Sequence, residues 1–248
     1  MNDTIKLINE LRTIHGNFSE KEISKEILDD IIAASLRTAN ASGRQSYSMI
    51  VLSDKEKMRN IFGYAGNKAV IFCVDFNRIV ETAKVMKHEF EVEDTIPFIT
   101  GTIDTMLLAQ TFVIAAKSYN VDSLITNGLH RENINEIYEM LNLPEKYCFP
   151  LIAIVLGYAQ NESSPRKGRL DGKGIVHYEK YEHLALEEIN NIISEYDNKE
   201  KNLGLVNNWE KMGFEHYLDW FYKKWNRKIS DKKVIEIKNR LIRSGFLK

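Results

Sequence analysis

TGTIDTMLLAQTFVIAAKSY, Thr100 to Tyr119, presents apolar side chains on nearly every side of a helix. A helix without a polar face has no side to turn to water, so this one is expected to run through the middle of the core. Around it lie runs that read as strands: Ser46 to Leu52, AVIFCVDF at Ala69 to Phe76, a short Asp122 to Ile125, and CFPLIAIVLGY at Cys148 to Tyr158, the most hydrophobic of all. Helical spacing marks Thr4 to Leu11, Asn133 to Leu141 and Ser24 to Ala39, where Ile27, Leu28, Ile31, Ile32 and Ser35 share a face. SDKE, Ser53 to Glu56, reads as a capping box opening a short helix, and a charged helix follows the second strand through about Phe90. Mixed helices and strands imply an α+β or α/β fold built on a sheet of four or five strands.

The chain has 248 residues, enough for a sizeable core, and its 44% hydrophobic and 28% charged content suits a globular protein. No run of about 18 uncharged apolar residues is present, and MNDTIKLINELRTIHG lacks the pattern of a secretion signal, so a cytoplasmic protein with no membrane partner is expected. Cys73 and Cys148 lie inside apolar strands and read as small buried hydrophobes rather than as a disulfide or metal pair. Net charge is −1 but uneven, at +6 from Trp209 onward and −7 before it. The polar stretch NKEKNLGLVNN begins at Asn198, which divides a domain of residues 1–198 from an aromatic, helical extension of residues 199–248. The forty residues from Trp209 onward make a poor core alone, so the extension should pack on its own body or on a partner chain.

Several chemistries are excluded. No G-x-G-x-x-G, G-x-x-x-x-G-K-[ST] or G-x-S-x-G occurs, and His88-Glu89 is followed by Val92 where a zincin helix needs its second histidine. A redox enzyme with this sequence would have to hold its own reactive cofactor.

Four segments carry a likeness. Arg12, Thr13, Ile14, His15 and Phe18 fit an R-S-x-R pattern followed by an aromatic; IFCVDFNR, Ile71 to Arg78, is nearly F-C-x-D-F-N-R. ITNGLHR, Ile125 to Arg131, stands in place of a glycine pair before L-R, and GYAQNESSPRKGRL fits G-[YW]-P…K-x-R-L. In this order and spacing the chain resembles the nitroreductase superfamily, within it the NADPH-dependent nitroreductase and flavin reductase branch, from about Ile5 to Tyr181. The resemblance implies an α+β fold with a central, mostly antiparallel sheet surrounded by helices, and an FMN-dependent enzyme. It also implies a homodimer with FMN at the interface, embraced by the C-terminal extension.

By the same resemblance Arg12, Lys167 and Arg169 converge on the FMN phosphate, a group near two negative charges that charge-assisted donors hold best. Thr13 keeps a hydroxyl donor, with Leu11 beside it and His15 two residues on. Asn67 offers an amide to the polar edge of the flavin, Thr126, Asn127 and Gly128 lie near its ring, and Ser42 and Gln45 line the same cleft. No side-chain nucleophile or metal is called for, since hydride passes from NADPH or NADH to flavin N5 and then, in ping-pong order, to a nitroaromatic, quinone or flavin.

Taken alone, RKGR reads as a solvated loop, Arg12 as the partner of a nearby acid, and Asn127-Gly128 as a turn. The chain also departs from the family pattern. His15 replaces an arginine, making one permanent charge titratable; Ala159 replaces a proline; and Asn198 to Asn208, where the branch binds the NADPH 2′-phosphate, holds only Lys199 and Lys201. Two other functions fit the residues: an FMN protein without reductase turnover, such as a sensor or a flavin-consuming enzyme, and a nucleic-acid module using the basic tail. The second is disfavoured because Lys223, Lys224, Arg227 and Lys228 can form the solvated face of a helix whose aromatics are buried.

Overall fold

The computed structural model describes residues 2–131, 133–161, 166–172, 174–226 and 228–248. Residues 162–165 of GYAQNESSPRKGRL, and Arg227, lie outside the described residues. The chain forms two compact units, one of residues 1–162 with 230–248 and one of residues 163–229. The segment after Asn198 is thus shared: residues 199–229 fold with the second unit and 230–248 with the first.

In the first unit, β1 (Tyr47–Leu52), β2 (Lys68–Asp75), β3 (Asp122–Thr126) and β4 (Cys148–Gly157) form one antiparallel sheet in the order β1-β2-β4-β3. The two inner strands read as continuous apolar runs because both faces of the sheet are covered. Ala69, Ile71 and Cys73 point into one core with α3 (Lys55–Phe62) and α6 (Ile134–Leu141), while Val70 and Phe72 point into another with α2 (Lys25–Ser35) and α5 (Thr95–Ser118). Phe72 meets Phe112 of α5 edge-on at 5.4 Å. The register shifts between Phe72, paired with Ile152, and Cys73, paired with Pro150, so the ladder is interrupted beside a residue that has no N–H to donate to it. The fold is α+β, as expected.

Local bonds and dihedral angles set the element ends. Asp54 rather than Ser53 caps α3, accepting from the N–H groups of Glu56 and Lys57. The charged helix α4 (Asn77–Val85) stops short of Phe90 because Lys87 turns to φ 60°. α5 begins five residues before Thr100, capped by Asp94, with Pro97 in the first turn where a missing N–H costs nothing.

α5 is central on one face only. Leu108, Ala109, Phe112, Val113 and Ala116 are packed, but Ile96, Ile99, Ile103, Met106 and Leu107 form an exposed stripe, with Ile96 at 69% and Ile103 at 55% exposure. Among the described residues α5 is the one helix long and apolar enough to cross a membrane, yet its packed face lies on the sheet.

Helix α9 (Asp231–Arg243) closes the unit through Arg240, which is 1% exposed. Its guanidinium donates to Glu145 Oε2 at 2.8 Å and to the Glu145 carbonyl at 2.7 Å, and lies 3.6 Å from the Tyr138 ring centre. Burial in turn pushes the pKa of the Tyr138 phenol upward. Lysine can neither stack this way nor donate in two directions from one plane. Arg240→Lys should therefore cost about 1–2 kcal/mol of stability, read as a lower denaturation midpoint.

The second unit contains α7 (Leu186–Asp197), the short α8 (Tyr217–Trp220) and a following wide turn at Phe221–Trp225. Trp209 and Tyr217 are buried within it, Tyr217 stacked on Tyr196 at 5.6 Å, whereas Tyr222 and Trp225 are exposed. Asp197 ties the ends of α7 and α8 together, accepting from the Tyr217 N–H at 2.8 Å and pairing with His216 at 2.6 Å.

Candidate functional site

The turn that joins α3 to β2, Gly63 to Asn67, gathers three of the expected residues. His15 is exposed with its ring 6.3 Å from that of Tyr64. Asn67 donates its N–H to the Leu156 carbonyl at 2.8 Å, and its side-chain oxygen accepts from the Ile23 N–H at 2.8 Å. The amide oxygen of Asn67 is thus committed to the chain itself. Gly128 packs so closely on Phe62, at the end of α3, that a Cβ there would lie 2.7 Å from the Phe62 carbonyl oxygen. Its N–H goes to Thr126 Oγ1 at 3.0 Å, so Thr126, buried at the end of β3, braces the turn that follows. Asn127 is exposed and has an ordinary φ of −96°.

Arg12 and Thr13 run beside the first residues of β3. Thr13 bridges Ser123 in parallel, and the Ile14 N–H donates to the Ser123 carbonyl at 3.0 Å. Leu11, half-buried, packs against the core shared by α2 and α5. The guanidinium of Arg12 approaches Asp122, Nε to Oδ1 at 3.8 Å, too far for a hydrogen bond. Lys117 sits closer to the same carboxylate at 3.1 Å, and the Ala159 N–H takes its other oxygen at 3.2 Å. Arg12 Nε is therefore left buried without a hydrogen-bond partner among the described residues. Because the chain's own atoms cover Nε, any anion would have to be met by the rest of the guanidinium, on a side chain that is 29% exposed.

Ser42 and Gln45 stand elsewhere. They precede β1, at the end of the sheet opposite to Ser123 and Asn67, since β1 pairs Tyr47 with Val74 and Leu52 with Ala69. The length of β1 alone separates these ends by about 17 Å. Ser42, Gly43 and Gln45 all have φ between 51° and 67°.

Lys167 and Arg169 belong to the second unit, where residues 166–169 lie along 201–204. Lys167 Nζ donates to Asn202 Oδ1 at 3.0 Å and to the Gly204 carbonyl. The Gly168 N–H donates to the Asn202 carbonyl at 3.2 Å, and Asn202 Nδ2 to the Arg166 carbonyl at 3.0 Å. Arg169 is exposed and folds one guanidinium nitrogen back on the carbonyls of Lys167 and Gly168. An ammonium has three donors and a guanidinium five, so both side chains keep donors for an outside acceptor. Taken by itself, the Lys167–Arg169 segment is a donor set of the kind that suits the phosphate of a mononucleotide.

Two supporting residues were invisible to motif patterns: Asp122 meets Arg12 and Ala159, and Asn202 meets Lys167, each tens of positions away in sequence.

The sequence profile of the nitroreductase family matches residues 8–158. Over 222 residues the chain is 31% identical to a Cr(VI) reductase of Pseudomonas sp. (strain G-1), covering 83% of this chain and 89% of that one. It is 30% identical over 240 residues to an FMN reductase [NAD(P)H] of Bacillus subtilis (strain 168), covering 90% and 94%. Among solved structures, NfrA2 of B. megaterium superposes with a TM-score of 0.81 at 26% identity, over 100% of this chain and 99% of that one.

Proposed function

The chain belongs to the nitroreductase family, and from that premise we propose that it is an FMN-dependent NAD(P)H oxidoreductase working as a homodimer. The observation that carries the cofactor assignment is the K-x-R segment, where Lys167 and Arg169 are held by local acceptors yet keep donors to offer a phosphate. The chemistry that bound FMN would supply is hydride transfer from the nicotinamide to the acceptor. The family pattern assigns Arg12, Lys167 and Arg169 as the cations that would hold its phosphate, with His15 and Asn67 as further binding residues. The protein's work is binding, orientation and charge, without a nucleophile of its own.

The second copy enters through the sheet. Ser42 and Gln45 lie about 17 Å along the sheet from the Arg12 end, so in a homodimer the loop of one subunit and the Arg12 end of the other would meet the same flavin. The exposed apolar stripe of α5 is a surface suited to such a copy. For acceptors the reading keeps nitroaromatics, quinones and flavins, taken in ping-pong order. A cytoplasmic setting belongs to the same reading, in keeping with Cys73 and Cys148 as buried free thiols.

Donor choice follows from two ion pairs. Lys199 is paired with Glu210 and Lys201 with Glu195, so a 2′-phosphate would have to compete with a carboxylate for either ammonium. NADH and NADPH should thus be used with kcat/KM values within about tenfold of each other, since one charge-assisted phosphate contact is worth roughly ten- to hundredfold. Anaerobic titration of the FMN-loaded protein with each donor tests this, followed by a quinone. Bleaching by both and recovery with the quinone is the expected result. An unbleached flavin would mean a sensor or a flavin-consuming enzyme, and a preference for NADPH beyond about a hundredfold would overturn the donor assignment.

A further inference from the structure

Asp104 has no part in that scheme, yet it is a carboxyl group at 1% exposure on the packed face of an apolar helix. Burying it is unfavourable unless its oxygens are satisfied. Oδ1 accepts from the Ala41 N–H at 2.8 Å and Oδ2 from the Ser46 N–H at 3.5 Å, so the group grips the loop at its two ends. Between those ends Ser42, Gly43 and Gln45 hold φ of 55°, 67° and 51°, a region that residues with side chains seldom occupy unless their surroundings impose it. From below, Arg78 donates to the carbonyl of Arg44 at 3.1 Å and to that of Gln45. Asn40 Oδ1 takes the Gln45 N–H at 3.1 Å. Ser42 and Gly43 remain exposed at the tip.

We infer that Asp104 and Arg78 are positioning residues, which hold the Ala41–Ser46 loop in the left-handed shape that presents Ser42 and Gln45 to the flavin. This rests on the reading of that loop as part of the cofactor cleft. Neither residue touches the cofactor in this scheme. They act by having the loop already shaped before binding, so that its ordering is not charged against affinity.

The test compares wild type, Asp104→Asn, Arg78→Ala, Arg78→Lys and the core control Val113→Ala. Asparagine preserves volume but turns an NH₂ group toward one of the two backbone N–H donors. Two readouts are taken: trypsin cleavage of the FMN-free protein after Arg44, which reports the loop directly, and FMN affinity from quenching of flavin fluorescence. Asp104→Asn and Arg78→Ala should be cut at Arg44 and bind FMN about tenfold more weakly, with Arg78→Lys intermediate, while Val113→Ala keeps both wild-type values. Resistance at Arg44 in Asp104→Asn, cleavage with unchanged FMN affinity, or an equal loss in Val113→Ala overturns the inference. Absence of FMN binding in wild type would sink the cofactor reading first, and the inference with it.

Discussion

Gly168→Ala is expected to leave the purified protein without bound flavin. A Cβ at Gly168 would lie 2.0 Å from the Lys201 carbonyl oxygen, and because that atom is backbone no rotamer change can relieve the clash. The two segments must separate. Separation breaks the bond from the Gly168 N–H to Asn202, the bond from Asn202 to Arg166, and both contacts of the Lys167 ammonium. Lys167 and Arg169 then lose their common placement, and with it two charge-assisted contacts to a phosphate, each worth about 1.5–3 kcal/mol. FMN affinity should fall by roughly a hundredfold or more, measured by fluorescence quenching and by the flavin retained after desalting. Lys167→Ala, which removes one cation and leaves the segment in place, should lose less. Should Gly168→Ala bind FMN within about threefold of wild type, the K-x-R segment is not a phosphate site.

The same segment shows where sequence reading stops. Lys167 and Arg169 stand out as cations beyond a buried strand, but nothing in RKGR announces Asn202, about 35 positions on, which holds them in place. The sheet and the long helix are legible because β2, β4 and α5 are apolar over their length, and burial follows from that whatever the topology. Their ends are not, since Asp54, Lys87 and Asp94 each decide a boundary through local bonds or a single dihedral angle. Nor does composition tell which face of α5 is covered: Ile103 and Leu108 look alike in sequence, and only the position of the sheet separates the exposed from the buried. Asn67 illustrates a further limit. Its residue type suggested an amide reaching for a ligand, while its oxygen is in fact occupied by the Ile23 N–H, a partner 44 positions away. Residue type reveals what a side chain can donate or accept, and the fold decides how much of that capacity remains.

Gly128 brings the two kinds of role into direct competition. Read as part of a glycine pair, it is small so that the backbone can approach a flavin ring, and Gly128→Ala would then weaken FMN binding while leaving the FMN-free protein as stable as before. The packing argues otherwise. A Cβ would meet the Phe62 carbonyl oxygen at 2.7 Å, Phe62 Cβ at 2.8 Å and Phe62 Cα at 3.0 Å, and Phe62 is itself buried at the end of α3 with no space to withdraw. Gly128 is not among the glycines with positive φ, so backbone strain adds nothing and the whole effect is contact. Relief requires moving α3 or the turn after β3, at a cost of about 2–3 kcal/mol. For a chain of this size that lowers the thermal midpoint of the FMN-free protein by roughly 5–10 °C. Asn127→Gly, at an exposed position with ordinary φ, should shift it by less than about 2 °C. A stable FMN-free Gly128→Ala protein with impaired FMN binding would return this glycine to the flavin; a destabilised one assigns it to the junction of α3 and β3, which any ligand in that cleft must find already built.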